Sequence, residues 1–342
     1  NIQCKFLYAL SAKGGALYCY NDFRSSILNV NTIFAYNYGI MQGGAMVSFY
    51  GLGVYITTKQ CIFLENKSKE GGVYFLRSGT NIITTNSIFI SNLAYENGGC
   101  ICYINTFFLK QESCSFSNNT AGMLGGVIYG NVTDSYYRVY IHSMQSNYTN
   151  NKSGKGGVIN VVDVNEINNI QSLFKLNNCT ADGGVFYITT DMKRDKTKIL
   201  NQFSNFIENE AVNGGVFYLK SLTSLANSYT QFKLNVAQTR GGSVWAERLE
   251  TFENYNLMAV NNSANIYGGF VYTKIAKFLM HYKCSVKNNT ASRGGSFYLI
   301  TVSFIHCTES TFVGSSATDD GGVMYIMDAV EVRSDTCSFQ YN

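Results

Sequence analysis

The sequence predicts an all-β fold, a right-handed parallel β-helix (a solenoid) of about 12 coils with about 27 residues per coil. Three repeating features predict it: a glycine pair, a Phe-x-x-Asn motif before most pairs, and a short apolar run after each pair. The glycine pairs begin at positions 14, 43, 71, 98, 125, 156, 183, 214, 241, 268, 294 and 321. Regular self-similarity of this kind indicates a repeat architecture.

The Phe-x-x-Asn motif is the second anchor of the repeat. It occurs at Phe34/Asn37, Phe63/Asn66, Phe89/Asn92, Phe116/Asn119, Phe174/Asn177, Phe206/Asn209, Phe232/Asn235 and Phe339/Asn342. Weaker copies are assigned to Met144/Asn147, Met258/Asn261, Val286/Asn289 and Phe312/Ser315. Residues one coil apart stack in a β-helix, and Asn tolerates the αL conformation of turns. The motif asparagines are therefore expected to form an internal hydrogen-bonded ladder.

The apolar runs after the glycine pairs, such as "GGVFY" and "GGSFY", are short and rich in β-branched and aromatic residues, which is typical of strands. Each coil is thus expected to hold at least two short strands joined by a glycine turn. Propeller blades are longer than this period, and the leucine lattice of leucine-rich repeats is missing.

The whole chain, residues 1–342, is predicted to be one continuous repeat domain without caps of its own. Solenoids need polar caps to stay soluble, so the chain is expected to be a segment of a longer array, or to have its ends covered by other copies. The net charge of +4 is small and dispersed, which argues against nucleic-acid binding. No apolar run reaches the length of a transmembrane helix, so no transmembrane segment is predicted in this chain.

Phe-x-x-Asn followed by Gly-Gly and apolar residues resembles the repeat of the chlamydial polymorphic outer-membrane proteins, whose motifs are FxxN and GGAI. The resemblance implies a β-helical, surface-exposed passenger with an adhesin or surface-scaffold role. The chain departs from that pattern because Ala follows the pair only at Ala16 and Ala45, and Val usually replaces it.

One aligned column after the glycine pairs is rich in aromatic residues and is expected to face outward, because strand neighbours point to opposite faces. Its partner-contact candidates are Tyr187, Tyr218, Trp245, Tyr272, Tyr298 and Tyr325. The column is either an exposed stripe for glycans, a partner or neighbouring copies, or a self-stacked layer that protects the solenoid. A basic loop adds Lys193, Arg194, Lys196 and Lys198 as candidates for an acidic glycan, although a solvated loop is the simpler interpretation.

Asn-x-Ser/Thr sequons predict a glycoprotein if the chain is secreted by a eukaryotic pathway. The candidates are Asn131, Asn151 and Asn178, placed just off the ladder, followed by Asn118 and Asn288. Asn66, Asn147 and Asn261 are assigned to the inner ladder and are expected to be poor acceptors.

Two histidines and two cysteines in neighbouring coils, His281, Cys284, His306 and Cys307, have ligand types that suit zinc. A Cys284–Cys307 disulfide or two buried thiols explain them more simply, so no metal and no cofactor are predicted. The acidic doublet Asp319-Asp320 has no evident basic or histidine partner in the sequence, which argues against a polysaccharide-active enzyme.

The function predicted from the sequence is therefore that of a non-enzymatic extracellular or cell-surface structural protein. Its partners would be other copies of itself, end to end in a filament or side by side, with glycans or other surface proteins as further partners. The competing hypothesis is an adhesin that uses the aromatic column and the loops. Filaments seen by electron microscopy would favour the first hypothesis, and single particles with glycan affinity the second.

Overall fold

The computed structural model describes residues 1–20, 25–49, 53–134, 136–190 and 197–342, and in these residues every regular element is a β-strand. The same residues contain no helix with the length and apolarity that crossing a membrane requires. The prediction of a parallel β-solenoid with about 12 turns spaced about 27 residues apart is confirmed. The chain divides into two compact units, Asn1–Ile167 and Asn168–Asn342.

Each turn contributes strands to three parallel sheets, which we name by their position relative to the repeat motifs. The anchor sheet holds the Phe-x-x-Asn strands, the pre-glycine sheet holds the strands that end at the glycine pair, and the post-glycine sheet holds the strands that follow it. Within each unit, equivalent strands of neighbouring turns pair in parallel, as between Phe6 and Phe34 or Phe206 and Phe232.

In the first unit, the anchor strands are Lys5–Leu7, Ile33–Ala35, Ile62–Leu64, Ile88–Ile90, Ser115–Ser117 and Asn147–Thr149. The pre-glycine strands are Leu10–Lys13, Tyr38–Gln42, Lys67–Glu70, Leu93–Asn97, Thr120–Ala121 and Lys152–Ser153. The post-glycine strands come in two series: Leu17–Tyr20, Met46–Phe49, Tyr74–Arg77, Ile101–Ile104, Ile128–Asn131 and Ile159–Val162, then Ser26–Val30, Tyr55–Lys59, Asn81–Thr85, Phe108–Glu112 and Tyr140–Met144. Glu166–Ile170 spans the boundary between the units.

In the second unit, the anchor strands are Leu173–Lys175, Asn205–Ile207, Gln231–Lys233, Met258–Val260, Ser285–Lys287, Thr311–Val313 and Ser338–Gln340. The pre-glycine strands are Asn178–Cys179, Glu210–Asn213, Val236–Arg240, Ser263–Ala264, Thr290–Arg293 and Ser316–Asp320. The post-glycine strands are Phe186–Thr189, Lys198–Gln202, Phe217–Ser228, Val244–Tyr255, Val271–Tyr282, Phe297–Thr308 and Met324–Asp335, the last five of which run unbroken through both series.

The core of each unit is built from stacked columns. In the first unit, Phe34, Phe63, Phe89, Phe116 and Tyr148 stack ring on ring with centroid distances of 4.5–5.0 Å. Next to the anchors lies the asparagine ladder, in which each side-chain amide bonds to the asparagine of the next turn. These contacts couple each turn to its neighbours, which is the source of stability expected of a solenoid.

The glycine pair is required by two different constraints. The first glycine, Gly241 for example, has a φ of 63°, in the left-handed region that favours glycine. The second glycine packs main chain on main chain, because a Cβ on Gly215 would overlap the carbonyl oxygen of Gly242 in the next turn. A side chain at the first position would overlap the main chain of its own turn, at Val244 in the case of Gly241, and one at the second position would overlap the next turn.

Two of the weaker anchors were assigned one or more residues too early. Phe116 pairs with Tyr148 and Phe232 pairs with Ala259, so Met144 and Met258 are not anchors. Ala259 is small, and the ring of Phe270 fills the space beside Phe232 at a centroid distance of 5.5 Å. The ladder residues of these two turns are consequently Asn151 and Asn262, not Asn147 and Asn261.

Candidate partner-contact surface

The aromatic column of the second unit lies on the post-glycine sheet. Each of its members stands three residues after the second glycine of a pair. Parallel register aligns its members, as between Tyr187 and Tyr218 or Trp245 and Tyr272. The six rings form one continuous stack. Centroid distances are 4.8 Å for Tyr187–Tyr218, 4.1 Å for Tyr218–Trp245, 6.1 Å for Trp245–Tyr272, 5.6 Å for Tyr272–Tyr298 and 4.8 Å for Tyr298–Tyr325. Interplanar angles do not exceed 14°.

Of the two alternatives for this column, the structure agrees at the centre with the self-stacked layer and not with the exposed stripe. Trp245, Tyr272 and Tyr298 are only 7%, 5% and 6% exposed, because each ring is covered on both faces by the rings above and below. Tyr267 and Ile300 pack against the same cluster from the side. Burial raises the pKa of Tyr272, which keeps its phenol neutral.

The stacking limits what this surface can do. A sugar ring binds aromatic residues by lying on an open face, and here the faces are occupied by neighbouring rings. Side chains of the same protein also contact the column: the Tyr298 hydroxyl lies 3.7 Å from the sulfur of Met327, and the Arg240 guanidinium lies 5.5 Å from the ring centroid of Tyr272. The column therefore acts as a packed outer layer of the second unit.

The basic loop is only partly described. Lys193, Arg194 and Lys196 lie outside the described residues, and Lys198 begins the strand Lys198–Gln202 with an exposed side chain. Lys198 pairs in register with Ser224 of the next turn.

The histidine and cysteine residues do not converge on one point. His281 and Cys307 are in register on neighbouring strands and both are buried. His306 faces the other side of its strand, where its Nε2 lies 3.4 Å from a carboxylate oxygen of Glu331. In the described part of the chain, no group of three or more His, Cys, Asp or Glu residues is arranged to hold a metal ion.

Cys284 and Cys307 are free thiols in the structure, so the disulfide suggested between them is not formed. The Cys284 thiol donates to the main-chain oxygens of Asn254 and Tyr282 at 3.3 and 3.4 Å. Burial raises the pKa of Cys284 to about 11 and that of Cys307 to about 12, so both thiols stay protonated near neutral pH.

The acidic doublet does have a basic partner, which the stacking of residues one turn apart places over Asp320. Arg293 in the neighbouring turn places its Nε 3.6 Å from Asp319 and 3.5 Å from Asp320. These exposed ion pairs neutralise the doublet, which is the arrangement of a surface charge cluster.

The sequon asparagines occupy different structural positions from those expected. Asn151 is fully buried in the ladder, so its placement off the ladder is wrong, and Asn147 and Asn261 are exposed. Asn66 is a buried ladder residue, as predicted. Asn118 and Asn288 are exposed, whereas Asn131 and Asn178 are half-buried strand residues.

A second polar ladder was missed by the sequence analysis. In the second unit, the buried amides of Asn169, Asn201, Asn227 and Asn254 bond in series at 2.7–2.8 Å, and Asn254 Nδ2 lies 3.3 Å from Nδ1 of His281. Burial lowers the pKa of His281 to about 4, so the imidazole is neutral near pH 7. The signal in the sequence was an Asn four residues before the first residue of each of these anchor strands.

Comparison with known proteins supports the repeat assignment. Residues 113–131, which include Phe116, Asn119 and the glycine pair at 125, match the Chlamydia polymorphic membrane protein (Chlamydia_PMP) repeat. The chain is also 32% identical over 113 residues to the metabotropic glutamate receptor-like protein P of Dictyostelium discoideum. That alignment covers 33% of this chain and 8% of the relative. No solved structure matches the chain. The repeat match and the solenoid fold together indicate a surface-type repeat protein.

Proposed function

We propose that this chain is an extracellular structural segment, a stretch of β-solenoid that acts as a rigid, non-enzymatic scaffold in a surface protein. The observation that carries the proposal is the self-stacking of the aromatic column from Tyr187 to Tyr325. The faces of these rings are covered by neighbouring rings. The column therefore stabilises the stacking of turns instead of presenting an open surface for recognition.

The length of the relative supports the view that these repeats belong to a longer array. The matched segment makes up 8% of the Dictyostelium protein, so there a stretch of this kind is one small part of a much larger chain. We propose the same arrangement for this protein, with the repeats serving as a spacer at the cell surface. Assembly of such segments end to end into a filament, or side by side, is the sharper form of the proposal.

Electron microscopy of the purified chain, combined with its mass in solution, tests this function. Particles that join end to end into strings are expected, and antibody labelling of intact source cells should place the protein outside the membrane. Single particles at all concentrations would refute the assembly, and labelling only after permeabilisation would refute the surface role.

An adhesin remains the second candidate because the first unit exposes several large apolar side chains on its lateral surface, among them Tyr36, Ile40, Tyr55 and Tyr95. Exposed aromatic side chains such as Tyr55 and Tyr95 suit a sugar or a protein partner. Glycan-array binding that is lost in Tyr55→Ala and Tyr95→Ala variants, and kept in Trp245→Ala, would favour this role over the structural one.

A further inference from the structure

The sequons of this chain fall into classes that the fold treats differently. Asn66 and Asn151 belong to the ladder and are fully buried. Their Nδ2 atoms, the atoms that an N-glycan would occupy, donate to the main-chain oxygens of Phe34 at 2.9 Å and Phe116 at 3.0 Å. A sugar at either position would remove the donor and require space inside the core, so glycosylation there is incompatible with the folded turn.

Three other sequons share one position in the turn. Asn118, Asn261 and Asn288 each immediately precede a ladder asparagine, have φ values of 57°, 55° and 51°, and are exposed. The Ser or Thr of each sequon then starts the pre-glycine strand. The tripeptide Asn-Asn-Ser/Thr thus presents its first asparagine to solvent and buries its second, and we call these three residues the acceptor column.

We propose that the acceptor column is a set of N-glycosylation sites. A lipid-linked oligosaccharide would supply the sugar. A bond forms between the asparagine Nδ2 and the anomeric carbon, the bond from that carbon to the pyrophosphate breaks, and one amide proton is lost as the lipid pyrophosphate leaves. The proposal rests on the proposed function only in requiring that the native chain enters a eukaryotic secretory pathway.

The surroundings of Asn118 and Asn288 leave room for a glycan. The Oδ1 of Asn118 accepts a 2.6 Å hydrogen bond from Asn150, and this contact does not involve the Nδ2 of Asn118. Asn288 lies over Gly314 of the next turn, where a Cβ would overlap the Asn288 oxygen, so the neighbouring position carries no side chain that could cover the amide. By contrast, Asn178 donates its Nδ2 to Glu210 at 3.3 Å, and its half-buried position on a strand makes it a weaker acceptor.

Secretion of the chain from insect cells behind a heterologous signal sequence provides the test. Enzymatic deglycosylation in ¹⁸O-water converts each occupied asparagine to a labelled aspartate, which peptide mass spectrometry locates. Label is expected at Asn118, Asn261 and Asn288, and none at Asn66 or Asn151 in secreted, folded protein. Molecules modified at a ladder sequon are expected only in the retained, unfolded fraction. An unlabelled column in a chain labelled elsewhere, or a labelled ladder in folded protein, would overturn the proposal.

Sequon variants separate position from sequence. Thr120→Ala, Ser263→Ala and Thr290→Ala each leave the αL asparagine in place and should remove one glycan without changing the others. Leu234 is an exposed αL residue before Asn235, so Leu234→Asn combined with Val236→Thr should gain one glycan, whereas Leu234→Asn alone should gain none. No gain in the double variant, secreted and folded, would contradict the assignment of the column. The heterologous signal sequence directs secretion whatever the native location of the chain. That result would therefore contradict the glycosylation sites and would not bear on the proposed surface role.

Discussion

Substitution of two adjacent asparagines, Asn261 and Asn262, tests the ladder register directly. The Nδ2 of Asn262 donates to the carbonyl oxygen of Phe232 and to Oδ1 of Asn289, both at 3.0 Å. Its Oδ1 accepts from the main-chain N and from Nδ2 of Asn235 and from the Ser243 hydroxyl, all at 3.0 Å. Asn261 is exposed, with a φ of 55°.

Asn262→Ala removes all five of these contacts inside the core. The main-chain N of Asn235 and the carbonyl oxygen of Phe232 lose their side-chain partners. With about 1–3 kcal/mol for each buried group left unsatisfied, the free energy of unfolding should fall by about 2–6 kcal/mol. Asn261→Gly keeps a residue that adopts positive φ without strain, so its effect should stay within about 0.5 kcal/mol.

Urea denaturation followed by tryptophan fluorescence measures both effects. Trp245 is the only tryptophan and lies in the same turn as Asn262, so it reports unfolding of this region. A loss below about 1 kcal/mol for Asn262→Ala, or a larger loss for Asn261→Gly than for Asn262→Ala, would refute the ladder assignment and restore the register that spacing from Met258 suggested.

Three further predictions follow from the core and the outer layer. The pKa of His281 is about 4 in the folded state and near its usual 6.5 in the unfolded state. The unfolded state therefore binds a proton more readily than the folded state between these two pH values. The free energy of unfolding should consequently fall by about 3 kcal/mol as the pH drops from about 6.5 to 4. His281→Asn, which extends the amide ladder, should flatten that part of a pH series of urea midpoints, and an unchanged slope would contradict the assignment. Trp245→Ala should cost about 2–4 kcal/mol by thermal or urea unfolding followed by circular dichroism, against about 0.5 for exposed Tyr95→Ala; equal losses would argue against a packed layer. Gly215→Ala should abolish soluble folded protein or lower the free energy of unfolding by more than about 4 kcal/mol. Val216→Ala, at the next residue, should lower it by about 1–3 kcal/mol. A soluble, stable Gly215→Ala variant would disprove the main-chain stacking of the glycine corner.

The sequence was sufficient for the fold because each recurring residue type has one physical role. Glycine at the corner, Phe in the core and Asn at the turn each recur at the period, and the parallel register of the structure follows from that recurrence. The predicted register was wrong at Met144 and Met258. In both turns the apolar residue chosen as the anchor is not the residue that pairs with the anchor of the neighbouring turn. Distance to the next glycine pair would have decided it, because Asn151 and Asn262 stand five and six residues before their pairs, as in the other turns.

The surface was harder to predict than the core. Strand alternation correctly predicted that the aromatic column faces away from the interior. It does not predict whether side chains of neighbouring turns cover the column. The burial of Trp245 and Tyr298 depends on rings one turn away and on Tyr267 beside them, which are contacts between turns that a single strand pattern does not contain.

Length variation along the chain is concentrated at one place in the turn, the passage between the two series of the post-glycine sheet. The extra residues of the two long repeats, with glycine pairs at 125 and 183, lie in this passage, between Asn131 and Tyr140 and between Thr189 and Lys198, whereas Val271–Tyr282 runs through without a break. The glycine corner and the asparagine turn admit no such change, because each is fixed by contacts to the next turn. Foreign peptides or whole modules could thus be grafted at this passage while every stacked column keeps its spacing, which makes the repeat a display framework with one variable position per turn.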